Sequence, residues 1–315
     1  MRKKNLSKLL FILFGIFISG IVNAQPDTLS FLHITDTHII SNLDFYHPEI
    51  AEGRKHYGQG IEPLKHFLLI GPQKMNFDFV AITGDLIDFF EAETTGGKML
   101  DFQAEQFSRI ADCSSVPIFA TLGNHDIANY SWKNNERVSS QNIAKLAQAV
   151  WSKSLECFKN GTYYSQLYYV GNKRYRLIFL DNGYDSFLPE EKIETPYIDK
   201  PQLHWLENQI QQSENDIEII FMHLPIVPAN SNEEPSCELY QILAKYPSPK
   251  MIVAGHDHKN AIQYFSFSEN KRITQVQTDA FGRSAENWRL IRLTENKILV
   301  SFPGSLGTEI EIPID

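Results

Sequence analysis

Five short segments of this 315-residue chain carry side chains that can bind cations or move protons. They are Asp36-Thr37-His38, Gly84-Asp85-Leu86-Ile87-Asp88, Gly123-Asn124-His125-Asp126, His223-Leu224-Pro225 and Gly255-His256-Asp257-His258. Carboxylate, imidazole and amide donors suit first-row divalent ions better than thiolate-seeking ones. In extended backbone, residues i and i+2 point to the same side, so Asp36 with His38, and His256 with His258, can each grip one ion. Cys113, Cys157 and Cys237 are scattered and lack C-x-x-C spacing, so metal chemistry here rests on His, Asp and Asn. Taken singly, each segment has a plainer reading. G-D-x-x-D can be a turn with a helix cap, G-N-H-D a turn that uses Gly and Asn for left-handed backbone, and His223 a core histidine with its bonds satisfied.

Their shared position argues otherwise. Strand-like runs occur at 30–34, 79–83, 117–121, 175–180, 217–222 and 251–254. Each of the five segments directly follows one of these runs, and carboxyl ends of strands are where α/β sheets place their sites. Helix-like stretches lie between them at 61–71, 101–111, 141–158, 202–213 and 236–245, and 261–267, 273–278, 288–293 and 297–302 read as further strands. Alternating β and α followed by a β-rich tail predicts an α/β protein with two packed sheets and helices outside.

The first 24 residues are of another kind. Arg2, Lys3, Lys4 and Lys8 precede a 14-residue apolar run over 9–22, and Val22-Asn23-Ala24 offers small residues for cleavage before Gln25. The run is shorter than the ~20 residues a spanning helix needs, so it reads as a cleaved signal peptide over 1–24. A single exported domain over 25–315, secreted or periplasmic and without a stable membrane anchor, is the expectation. Its 25 basic and 38 acidic residues leave a net charge of −13, which argues against a chain that coats nucleic acid. The 43% hydrophobic content excludes disorder.

The order D-x-H, G-D-x-x-D, G-N-H-D, H, G-H-x-H resembles the calcineurin-like metallophosphoesterase superfamily, and with the β-rich tail the resemblance covers nearly all of 25–315. Gly161-Thr162-Tyr163-Tyr164-Ser165 and Gln202-Leu203 with Trp205-Leu206-Glu207 match secondary features of that pattern. The resemblance implies a four-layer α/β/β/α sandwich and a centre of two metal ions. It implies that Asp36, His38 and His258 hold the first metal, that Asn124, His223 and His256 hold the second, and that Asp85 bridges them. Mn, Fe and Zn all fit these ligands. Two carboxylates against two divalent ions leave about +2, which attracts a phosphate despite the acidic surface. The implied reaction is phosphoester hydrolysis by a metal-bridging hydroxide, with His125 as general acid and Asp88 orienting it through its other ring nitrogen.

Asp at position 88, where purple acid phosphatases carry Tyr, disfavours a purple enzyme. Phe89, G-N-H-D and the leader disfavour a cytosolic protein phosphatase. The expected substrate is therefore a small phosphoester, a diester in preference to a monoester or nucleotide. An inactive binding protein of this fold, or a metallohydrolase acting on another bond, are the alternatives. Tyr46, His47, Arg54, His56 and Tyr57, with Tyr130, Trp132 and Arg137, are expected on loops at the pocket rim. Arg54 could grip substrate with its planar fork or merely balance Glu49 and Glu52 at the surface. His33, His66 and His204 read as having no role. Asp126 and Asp257 read as turn or supporting carboxylates.

Overall fold

The computed structural model describes residues 26–54, 60–134, 136–184, 196–213, 215–231, 235–268 and 271–315. The leader expected over 1–24 lies outside them, as do His56 and Tyr57. The first sheet is built from β1 (Thr28–Ile34), β2 (Phe79–Thr83), β5 (Ile118–Thr121), β14 (Arg289–Thr294), β15 (Lys297–Ser301) and β16 (Thr308–Pro313). Its order is β16-β15-β14-β1-β2-β5. The second is built from β8 (Tyr164–Val170), β9 (Lys173–Phe179), β10 (Asp216–Phe221), β11 (Pro249–Ala254), β12 (Ala261–Ser268) and β13 (Lys271–Gln277). Its order is β12-β13-β11-β10-β9-β8. At the heart of each sheet the pairings β1·β2·β5 and β9·β10·β11·β13 are parallel, so the carboxyl ends within each run fall on one edge.

Layering follows from the alternation of side chains along each strand. Phe31, Phe79, Phe179, Phe221, Ile219 and Val253 face inward and join the two sheets in one core. Their neighbours point the other way. Leu32, Val80 and Ile82 pack on Leu64, Phe67 and Leu68 of α2 (Ile61–Met75), Phe107 of α3 (Gln103–Ala111) and Trp151 of α4 (Ala144–Ser154). On the opposite side Ile178, Ile220 and Ile252 meet Leu203, Leu206 and Ile210 of α5 (Lys200–Gln211) and Ile242 and Leu243 of α6 (Glu238–Lys245). Central strands covered on both faces are mostly apolar, which is why they read from sequence as hydrophobic runs. The result is the α/β/β/α sandwich.

A third, four-stranded sheet departs from the expectation of rim loops. It consists of β3 (Glu91–Glu93), β4 (Met99–Leu100), β6 (Asn129–Lys133) and β7 (Glu136–Ser140), in the order β4-β3-β6-β7. Its strands lie just after the G-D-x-x-D and G-N-H-D segments, so Tyr130 and Trp132 sit on a strand and not on a loop. Beside it lies α1 (Pro48–Gly53), opened by Pro48 at its first turn and by His47, whose Nδ1 accepts from the Glu49 N–H at 3.3 Å. Tyr46, Ile50, Phe89 and Tyr130 form the small core under this layer. No described helix is long and apolar enough to cross a membrane. No disulfide joins Cys113, Cys157 and Cys237.

Candidate metal centre

All five segments stand just past strand ends, after β1, β2, β5, β10 and β11, and their donor atoms converge. Asp36, His38, Asp85 and His258 form one group, and Asp85, His223 and His256 another, each with its donor atoms within 4.8 Å of one another. Asp85 belongs to both. Its Oδ2 lies 3.2 Å from His223 Nε2 and 3.6 Å from His38 Nε2, while Oδ1 accepts the His125 backbone N–H at 3.0 Å. Asn124 Oδ1 completes the second group, 3.0 Å from His223 Nε2 and 3.2 Å from His256 Nδ1. In the first, Asp36 Oδ1 is 3.1 Å from His258 Nε2.

The local backbone that achieves this differs from the strand-alternation argument. Asp36 (φ 52°), His38 (φ 43°), Asp85 (φ 48°), His256 (φ 71°) and His258 (φ 51°) all occupy left-handed conformations. The i, i+2 pairs converge because the chain coils just past its strand, not because it stays extended. Each such residue costs on the order of 1 kcal/mol, and strain of this kind persists where surrounding bonds over-determine it. The bonds are present: the Asp36 N–H donates to Gly84 O at 3.0 Å, the His38 N–H to Asp85 O at 2.9 Å, and the His256 N–H to Asp36 Oδ2 at 3.0 Å. Two glycines are required by this crowding. At Gly84, itself at φ 80°, a Cβ would lie 2.6 Å from His223 Cγ and Nδ1, and at Gly255 it would lie 2.6 Å from Asp36 Oδ2.

The donor chemistry fits two cations. His223 Nδ1 is 2.8 Å from the Thr83 carbonyl, which can only accept, so Nδ1 keeps its proton and Nε2 is the nitrogen a cation would take in exchange for a proton. His38 Nδ1 lies 3.2 Å from Asp88 Oδ1, while its Nε2 is turned toward Asp85 and His258. The inward nitrogens then crowd: His38 Nε2 is 3.1 Å from His258 Nε2, and His256 Nδ1 is 3.3 Å from His223 Nε2. One proton cannot satisfy such a pair and its carboxylates together; a cation can. Electrostatics speak alike. Burial disfavours a charged His223, yet the charge and hydrogen bond of Asp85, the Asp36 charge and the Thr83 carbonyl together outweigh burial and lift its pKa to about 10. Burial and the His223 charge push His256 down to about 4. Burial works to raise Asp36 too, but the His258 hydrogen bond and the His223 charge hold it near 2. A site this anionic collects positive charge.

A third group, His38, Asp88 and His125, has donor-like spacing, but here a cation is already in place. Arg54 Nε lies 2.7 Å from Asp88 Oδ2, and Arg54 is only 9% exposed. Arg54 is thus buried against Asp88 and is not a solvated surface arginine. The geometry of Asp88 also departs from expectation. His125 Nδ1 is 2.7 Å from the Asp88 main-chain carbonyl and 3.8 Å from its carboxylate, which serves His38 and Arg54 instead.

Several residues that support the centre from outside its donor set have roles that only the structure shows. Asn182, just past β9, accepts the His223 N–H at 2.8 Å and donates to Leu224 O at 2.8 Å. Its only signal was an Asp-Asn-Gly at the one early strand end without cation-binding residues. Gln202 holds Asp181 through both backbone groups, at 2.8 and 2.9 Å. Gln141 donates to Asn124 O at 3.1 Å. Asp126 accepts from the Gly123, Ile87 and Leu86 N–H groups and ties two of the segments together, as the supporting role expected. His33, read as having no role, bridges Thr83 and Thr278 beneath the site at 2.7 and 2.8 Å.

The sequence matches the calcineurin-like phosphoesterase family over residues 29–260, and the chain belongs to that family. A search of the curated proteins found no match. Among solved structures the chain is similar to a dimetal phosphatase from Danio rerio (16% identity, TM-score 0.56, covering 92% of this chain and all of that one). It is also similar to GAP50, the anchor in the inner membrane complex of Plasmodium (12%, 0.52, covering 91% and 89%). A third is the purple acid phosphatase PPD1 from yellow lupin seeds (13%, 0.54, covering 91% of this chain and 54% of that one). At these identities the likeness is one of fold.

Proposed function

We propose that this chain is an exported dinuclear-metal phosphoesterase acting on a small phosphoester, with diesters preferred over monoesters. The observation that carries the reading is the two-lobed donor set with Asp85 common to both lobes. Asp36, His38 and His258 would hold one metal, Asn124, His223 and His256 the other, and Asp85 both. When bound, the metals supply Lewis-acid charge for the phosphoryl oxygens and lower the pKa of a water. The chain's own residues do the rest. His125, tied at Nδ1, would take up a second proton at Nε2 and, as the imidazolium, give it to the leaving-group oxygen. Asp88 orients His125 through its carbonyl and His38 through its carboxylate.

The preference for diesters rests on charge. The Arg54 guanidinium is taken up by Asp88, and a monoanionic diester asks for less positive charge than a dianionic monoester. Export rests on the basic start and 14-residue apolar run before Gln25, and N-terminal sequencing of the secreted chain should begin at Gln25. The test of the activity is release of p-nitrophenol from bis-p-nitrophenyl phosphate and from p-nitrophenyl phosphate by protein reconstituted with Mn, Fe or Zn, with metal counted by elemental analysis. Two metals per chain with faster diester release supports the reading. Turnover in metal-free protein refutes it.

A further inference from the structure

The accessory sheet brings Tyr130 to the Nδ1 edge of His125. The Tyr130 hydroxyl is 3.0 Å from His125 Nδ1, and its ring meets the imidazole edge-on at 6.2 Å and 86°. Nδ1 also lies 2.7 Å from the Asp88 carbonyl, so the ring proton sits on Nδ1 and the tyrosine oxygen is a second acceptor for it. Arg54 reaches the same oxygen, donating from Nη2 at 3.5 Å, while its Nε is fixed at 2.7 Å on Asp88. On its far side the His125 ring abuts His38 edge-on, with centroids 4.8 Å apart. Tyr130 is buried at 5% exposure and rests on Phe89, centroids 5.8 Å apart, so its hydroxyl has little freedom. The chain Asp88–Arg54–Tyr130–His125 closes on itself through the Asp88 main-chain carbonyl, and its members stand just past β2, α1 and β5 and on β6.

Resting on the phosphoesterase reading above, we propose that Tyr130 is a positioning residue for His125, and that Arg54 works through it by anchoring the tyrosine hydroxyl to Asp88. One acceptor on Nδ1 fixes which nitrogen carries the proton but lets the ring swing about that bond. A second acceptor at 3.0 Å fixes the plane of the ring, and so the direction in which Nε2 points. Misplacing a reacting group by about 1 Å can cost on the order of a hundredfold in rate. The accessory sheet then has a function that the sandwich alone does not explain: it holds the acid in register with a centre built by the two large sheets.

The test uses the full mature chain loaded with zinc. Tyr130→Phe keeps the ring and its packing on Phe89, so folding is preserved. The expected result is a kcat loss of ten- to a hundredfold for a diester with a poor alkyl leaving group. For bis-p-nitrophenyl phosphate, whose leaving group needs little protonation, the change should stay within about twofold, with KM and metal content unchanged. Arg54→Lys should show a smaller loss of the same selectivity, and the double variant no more than Tyr130→Phe alone. Equal losses on both substrates, or none, would overturn the proposal. A second readout needs no turnover. The Nδ1 proton of His125, assigned by its disappearance in His125→Ala, should shift upfield and exchange with water at least about tenfold faster in Tyr130→Phe. Unchanged shift and exchange would overturn the positioning role whether or not the chain hydrolyses anything. Inactive wild-type protein with the expected proton behaviour would refute the phosphoesterase reading alone.

Discussion

Gly84→Ala is the sharpest test of how the centre is built, because the new methyl meets a ring with nowhere to go. A Cβ at position 84 would stand 2.6 Å from His223 Cγ and Nδ1 and 2.7 Å from its Cβ, whereas ordinary contact begins at 3.4 Å. The ring must retreat by the difference, ~0.8 Å. His223 is fully buried, with its backbone N–H held by Asn182 at 2.8 Å and Nδ1 by Thr83 O at 2.8 Å. Retreat stretches the Nδ1 bond beyond hydrogen-bond range, losing about 1 kcal/mol. The alanine itself must take φ 80°, costing roughly 1–2 kcal/mol. Together these destabilise the chain by about 2–3 kcal/mol, a fall in Tm of roughly 4–12 °C for a domain of this size. Disturbing the bond that orients a metal-binding histidine should weaken metal affinity ~10–100-fold. Calorimetry and elemental analysis after dialysis against a graded chelator read both quantities. Gly53→Ala, where a Cβ would find nothing within 4 Å, is the control and should leave both unchanged. A Gly84→Ala protein with wild-type Tm and full metal would refute the packing argument.

The same geometry sets further outcomes. Asp85→Asn removes the carboxylate shared by both groups and should abolish turnover and lower bound metal below two per chain, as a chelator should do reversibly; full activity without metal would count against the centre. His125→Ala should keep both metals yet lose about 10²–10⁴ in rate, less for good leaving groups, and a missing metal in that variant would make His125 a ligand. The pH dependence has a definite sign. In the metal-free chain the His223 pKa is raised to about 10, so its contribution to stability is complete below the unfolded value near 6.5 and is lost as pH rises toward 10. A metal at Nε2 must displace that proton, so the Tm gained on adding zinc should grow between pH 6.5 and 9; an equal gain at both ends would contradict it.

Much of this was legible in the sequence. Residues of β1, β2, β5, β10 and β11 are mostly apolar on both faces because both faces are covered, so their runs stand out from the polar chain around them. The cation-binding residue after each run stands out as well, since at a strand end it has no packing role to disguise it. The resemblance of the motif order to a known family set Asp36, His38, Asp85, Asn124, His223, His256 and His258 apart from the other polar residues at those strand ends, and the structure brings them together.

Tertiary structure alone decided how they meet. The left-handed turns at Asp36, His38 and His256 are held by backbone N–H bonds to Gly84 O, Asp85 O and Asp36 Oδ2, on residues tens to hundreds of positions away, so no local propensity announces them. Tyr130 and Trp132 looked like rim-loop residues because β3, β4, β6 and β7 are two to five residues long, too short for a period to show. The burial of Arg54 was invisible for a different reason. A guanidinium reads as solvent-exposed until a carboxylate is found to neutralise it, and Asp88 is 34 positions on, across a strand and a helix. Residue type and local period declare what a side chain can do. Which partner it does it with is settled by contacts between segments that only folding brings side by side.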